Sequence, residues 1–311
     1  MTQYIDSHAH FFPKKYLKTL DDVGIHFDQT LDSRFTSVSP RIKDMDAAGV
    51  SKQAVSIAVP GVNMSTPENA VHLAKIVNDE LSSLVAKNDR FIGLASLPMV
   101  DPEAAVEELD RAVNELGLRG VELFTNVGGK TLDYKGFWTV YERLTELDVP
   151  AFIHPIAPDH RSVYDDYSLL AVLGFPFETT HAATRIVLSG LLDKMPDLKL
   201  VLSHMGGTLP YLVGRIDDAY RMYVKHQTPI KRHPSEYFKK MYLDGASFYA
   251  PAWGNALEFW GADKLLMGSD YPYGWVGEYR NCVDVVESLG IGEKEKNLIL
   301  RRNAEKLLGL T

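Results

Sequence analysis

The chain has 311 residues, 45% of them hydrophobic and 24% charged, which is enough to bury a large core without disulfides. Its single cysteine, Cys282, excludes an internal disulfide and any cysteine-rich zinc site. A formal charge of −8 with no long basic cluster argues against a nucleic-acid partner, and no run of about 18 apolar residues offers a membrane span.

Strand-like runs alternate with amphipathic patterns along the whole length. Strands are predicted over 4–8, 53–59, 91–97, 120–124, 151–154, 198–203, 241–244 and 264–268. Thr66-Pro67-Glu68 and Asp101-Pro102-Glu103 each read as a helix start, with a capping side chain, a proline in the first turn and an acid behind it. Further helices are predicted over 134–147, 178–192, 209–224, 252–260, 279–289 and 293–308.

Strands that alternate with helices require right-handed parallel crossovers, and eight such units predict an α/β fold of the (β/α)8 TIM barrel type. An open doubly wound sheet would want a glycine-rich phosphate loop after the first strand, where this chain has Asp6-Ser7-His8-Ala9-His10. No linker-like segment interrupts the pattern, so one domain over residues 1–311 is expected. The N-terminus lacks a basic segment followed by an apolar one, which predicts a cytoplasmic protein.

His8 and His10 alternate at the end of the first strand, and residues i and i+2 of an extended chain face the same side, so both imidazoles can reach one ion. His154 ends the fifth strand, His204 the sixth, and Asp270 follows the eighth, each where an apolar run stops at a polar side chain. In a barrel these strand ends share one mouth. Three imidazoles and a carboxylate suit one divalent metal, zinc first with manganese as the alternative, and leave a position for water or substrate. His8, His10, His154 and Asp270 are therefore assigned to the metal and His204 to acid–base work. Phe11, Phe12, Tyr271, Tyr273 and Trp275 flank the ligands and are expected to build an aromatic pocket wall. A small anionic substrate is compatible with the negative net charge, because a metal and a few arginines dominate the field inside a pocket.

These strand ends, together with the segments Arg41-Ile42-Lys43-Asp44-Met45-Asp46, Gly174-Phe175-Pro176-Phe177-Glu178-Thr179-Thr180, Ser203-His204-Met205-Gly206-Gly207 and Gly268-Ser269-Asp270-Tyr271-Pro272, resemble the amidohydrolase superfamily. The resemblance covers nearly the whole chain and is nearest to the decarboxylase branch of muconate semialdehyde and hydroxybenzoate decarboxylases. It implies a metal-dependent, non-oxidative decarboxylase of a small unsaturated or aromatic carboxylic acid, with His204 as catalytic histidine and Asp270 both binding metal and passing a proton. It also implies that Arg215 reaches into the neighbouring site of a homodimer, and that Arg34 clamps a substrate carboxylate, with Arg41 left open for that task.

Many members of that superfamily carry a lysine or glutamate on strand 4 that bridges two metals. Here strand 4 reads Gly120-Val121-Glu122-Leu123-Phe124, with no lysine and with a Glu122 that need not face the mouth, which favours one metal. Ile156 and the run Tyr273-Gly274-Trp275 depart from the muconate enzymes' pattern and weigh on the substrate more than on the reaction. Hydrolysis or hydration of a lactone, amide or unsaturated acid stays open, because one metal-water site serves all three chemistries.

Overall fold

The computed structural model describes residues 3–25, 27, 32–158, 161–273 and 279–310. Its main sheet has eight strands: β1 (Tyr4–His10), β2 (Val50–Ser56), β3 (Phe91–Ser96), β4 (Gly120–Phe124), β5 (Ala151–His154), β6 (Leu200–Leu202), β7 (Tyr242–Asp244) and β8 (Leu265–Leu266). They pair in chain order, all parallel. The first and last strands meet through the backbone, where Ser7 N–H donates to the Met267 carbonyl and Asp270 N–H to the His8 carbonyl, both at 2.9 Å. The result is the predicted (β/α)8 barrel.

Two capping predictions hold at the level of atoms. Thr66 Oγ1 accepts from Asn69 N–H at 3.3 Å, and Asp101 Oδ1 accepts from Ala104 N–H at 3.1 Å, so each helix begins at its proline. Boundaries differ elsewhere for local reasons. Strand β2 begins three residues early because Gly49, in the left-handed region at φ 76°, turns the chain directly from the helix Val38–Ala48 into the sheet. The predicted helix over 178–192 is divided into Phe175–Leu188 and Leu191–Lys194 at Gly190. A short ribbon, Asn126–Val127 against Lys130–Thr131, follows β4 and has no counterpart in the sequence reading.

Apolar side chains close one end of the barrel. Ile5, Leu94, Phe152, Val201 and Leu266 pack with Leu307 and Leu308 from the end of the chain, all nearly free of solvent. Each such burial stabilises the fold by roughly 1.5–3 kcal/mol. The floor is thus dry, and the strands release their polar residues at the opposite, C-terminal rim.

Candidate active site

Strands β1 and β5 and the segment after β8 bring His8, His10, His154 and Asp270 together at that rim. One donor atom from each lies within 4.8 Å of the others, and all four residues are buried. His8 Nε2 and His10 Nε2 are 3.0 Å apart, and Asp270 Oδ1 stands 3.1 Å from the second and 3.5 Å from the first. Ligands around one tetrahedral ion with metal–nitrogen bonds of about 2.0–2.1 Å stand roughly 3.3 Å apart, so this spacing fits a shared cation. Two imidazole nitrogens at 3.0 Å repel through their lone pairs unless a proton or a metal lies between them, and the donor set is that of a divalent ion.

Each imidazole is anchored from behind. His154 Nδ1 lies 2.9 Å from the Pro155 carbonyl, His10 Nδ1 lies 3.3 Å from Ser56 Oγ, and His8 Nδ1 lies 2.9 Å from Asp244 Oδ2, off the line of an ideal hydrogen bond. Ser56 in turn donates to Glu122 Oε2 at 2.7 Å. Glu122 therefore points inward and stands behind His10, a side that its alternation with Val121 and Leu123 left open. It lies outside the four-residue donor cluster. These contacts turn the Nε2 atoms toward the centre, the arrangement that supports metal-bound histidines generally.

Burial is the largest single influence on His8, His10, His154 and Asp270. It lowers His10 to about 4 and His154 well below the ordinary imidazole range, so both stay neutral at physiological pH. It also opposes protonation of His8, but the charge and hydrogen bond of Asp244, with Asp270 and Glu122 behind, outweigh it and raise His8 to about 10. For Asp270, burial is outweighed by its contacts with the His10 and His204 imidazoles, which hold the carboxyl well below its usual range. Two neutral imidazoles and a carboxylate are ready to ligate, and a cation would take the place of the proton on His8.

His204 lies across from this cluster, with Nε2 3.5 Å from Asp270 Oδ2 and the side chain still partly open to solvent. Its backbone, like that of Met205, is in the left-handed region at φ 55° and 58°. The glycines that follow are required by space as well as by φ. A Cβ on Gly207 would collide with the Pro176 carbonyl.

A cavity of about 840 Å³ opens over the cluster, with His154, His204, Asp270 and Tyr273 on its polar side and Val59, Leu170 and Phe175 among its apolar walls. No lysine or arginine lines it among the described residues. Arg34 is exposed and paired with Asp32 at 3.0 Å, and Arg41 is fully buried against main-chain carbonyls, so neither lines the cavity. Phe11 and Tyr271 flank the Arg41 guanidinium, and the Tyr271 hydroxyl donates to Asp44 at 2.7 Å; of the flanking aromatics among the described residues it is Tyr273 that joins the wall. Arg215 sits exposed on the helix Leu209–Ala219 and does not line the cavity of its own chain. Trp275 lies outside the described residues. Sequence reasoning passed over Asp244, although it ends β7 just as His154 ends β5.

The amidohydrolase family model matches residues 5–310. The chain is 34% identical over 321 residues to a gamma-resorcylate decarboxylase of a Rhizobium species, covering 97% of this chain and 93% of the relative. It is 30% identical over 332 residues to the 2-amino-3-carboxymuconate-6-semialdehyde decarboxylase of Dictyostelium discoideum, covering 98% and 91%. Among solved structures it resembles a dihydroxybenzoic acid decarboxylase from a Polaromonas species, with a TM-score of 0.89 and 32% identity over 100% of this chain and 98% of the other. That structure holds manganese and the inhibitor 2-nitroresorcinol.

Proposed function

Because this chain belongs to the amidohydrolase family, we propose that it is a metal-dependent, non-oxidative decarboxylase of a small aromatic carboxylic acid. The observation that carries the reading is the buried His8, His10, His154 and Asp270 cluster, which faces a largely apolar cavity with His204 on its far side. All three relatives described above carry decarboxylase names, which weighs against the hydrolase or hydratase alternative.

A divalent ion bound there supplies positive charge that polarises a substrate oxygen and steadies the electrons left behind as carbon dioxide departs. The chain's own residues supply the rest. The apolar walls hold the ring and exclude water, which strengthens every charge interaction inside. The carbon–carbon bond breaks, its electron pair stays on the ring carbon, and a proton from the His204–Asp270 pair takes the place of the lost carboxyl group.

We take zinc as the resident metal from the donor set of three imidazoles and one carboxylate, with manganese as the competitor that the Polaromonas structure brings forward. The reading also has a homodimer in which Arg215 of one subunit serves the other's cavity, since that cavity has no cationic lining of its own among the described residues. A cytoplasmic setting agrees with the one buried, unpaired cysteine, Cys282. The decisive experiment is elemental analysis of the purified protein joined to a screen of hydroxybenzoates and muconates for carbon dioxide release. Lactone or amide cleavage without carbon dioxide release would sink the proposal.

A further inference from the structure

Asp244, the last residue of β7, is fully buried and has two oxygens with two different tasks. Oδ2 lies 2.9 Å from His8 Nδ1. Oδ1 accepts from the backbone N–H of His204 at 3.0 Å and of Ala246 at 3.1 Å. The surroundings leave no slack, since a Cβ on Gly268 would stand 3.1 Å from His8 Cβ and 3.3 Å from Asp244 Cβ.

We propose that Asp244 is a positioning residue that sets two functional groups at once, the tautomer of His8 and the backbone pose of His204. A carboxylate oxygen 2.9 Å from an imidazole nitrogen, even off the line of an ideal hydrogen bond, attracts an N–H and repels a lone pair, which favours the tautomer with its hydrogen on that nitrogen. The proton therefore resides on Nδ1, and Nε2, the atom 3.0 Å from His10 Nε2, keeps its lone pair for a metal. The other oxygen acts on a residue held in a costly conformation. At φ 55° a non-glycine residue is strained, and the hydrogen bond from its own N–H to a fixed, charged acceptor helps to hold it there. One buried carboxylate thus links the proposed metal ligand on β1 to the acid–base residue after β6.

The inference rests on His8 being a ligand, and the test separates its failure from that of the decarboxylase reading. Asp244→Asn keeps an oxygen for the His204 and Ala246 N–H groups but presents an amide N–H to His8 Nδ1. The ring proton must then move to Nε2, which spoils the ligand. Zinc affinity, measured by competition with a chromogenic chelator, is expected to fall about 10- to 100-fold, with little change in the melting temperature of the metal-free protein. Asp244→Ala loses both contacts. At saturating zinc its kcat on 2,6-dihydroxybenzoate should stay at least tenfold below that of Asp244→Asn, with KM nearly unchanged. Wild-type zinc affinity in Asp244→Asn would overturn the tautomer role, and equal kcat in the two variants at saturating zinc would overturn the His204 role. The affinity measurement needs no substrate, so it stands even if no acid is decarboxylated.

Discussion

Arg41 donates one guanidinium N–H to the main-chain carbonyl of His10 and another to Gln53 Oε1, the latter at 2.6 Å, so a fully buried cation braces the strand that carries His8 and His10. It also donates to the Arg34 carbonyl at 2.9 Å and lies over the Tyr271 ring at 4.6 Å. Burial, the largest influence, lowers it to about 10, which leaves it charged at neutral pH. Arg41→Lys keeps the charge but loses the fork that reaches several oxygens at once. The variant should lose about 2–4 kcal/mol of stability, read by denaturant unfolding, with KM close to wild type in the folded protein. An unchanged unfolding midpoint with a raised KM would mean that Arg41 contacts substrate instead.

Stripping the metal should both abolish turnover and loosen the fold. A ligand that binds only the native state stabilises it by about 3–4 kcal/mol at concentrations 100 to 1,000 times its Kd. Chelator-treated protein should therefore melt several degrees lower and regain both stability and activity when zinc or manganese is added back. Recovery of one property without the other would separate a structural metal from a catalytic one.

His204 is adjacent to the cluster without belonging to it. His204→Ala should retain the full metal content by elemental analysis and lose about 10²- to 10⁴-fold in kcat, the usual contribution of a positioned proton donor. Loss of metal from this variant would make His204 a ligand and would undo the division of roles.

If Arg215 serves the neighbouring subunit, two inactive variants should rescue each other. Arg215→Ala and His204→Ala, unfolded together and refolded as a mixture, yield hybrid dimers in which the Arg215→Ala subunit keeps its own His204 and receives Arg215 from its partner. Up to half of the wild-type sites per hybrid should work. Absence of rescue, with hybrids shown to form, would place Arg215 outside the neighbouring site.

The strand ends were readable because an apolar run that stops at a histidine or an aspartate marks the point where a barrel strand leaves the core, as at Ile153-His154 and Ser203-His204. The same signal marks Leu243-Asp244. The partner of Asp244 is invisible in sequence, because it lies 236 positions away on β1, the difference between residues 244 and 8. Tyr271 misleads for a related reason. It follows Asp270 and reads as pocket wall, but its hydroxyl is taken by Asp44, 227 residues earlier. Alternation along β4 gives the period of Glu122 and not its side, and the side was decided by Ser56 on β2.

Glu122 supplies a prediction about pH. Burial is the largest influence on its carboxyl and raises it from 4.5 to about 8, against the Ser56 hydrogen bond and the His8 charge, which lower it. The folded, metal-free chain therefore binds a proton at Glu122 that the unfolded chain has released between these two values. By linkage, the resulting stabilisation is full below the unfolded value and is lost as pH rises through about 8. Glu122→Gln keeps an oxygen for Ser56 and cannot ionise. Melting temperatures of chelator-treated wild type and variant, followed from about pH 5 to pH 9, should diverge in the variant's favour as pH rises. Parallel curves across that range would mean that Glu122 is ionised throughout, with its charge compensated inside the barrel.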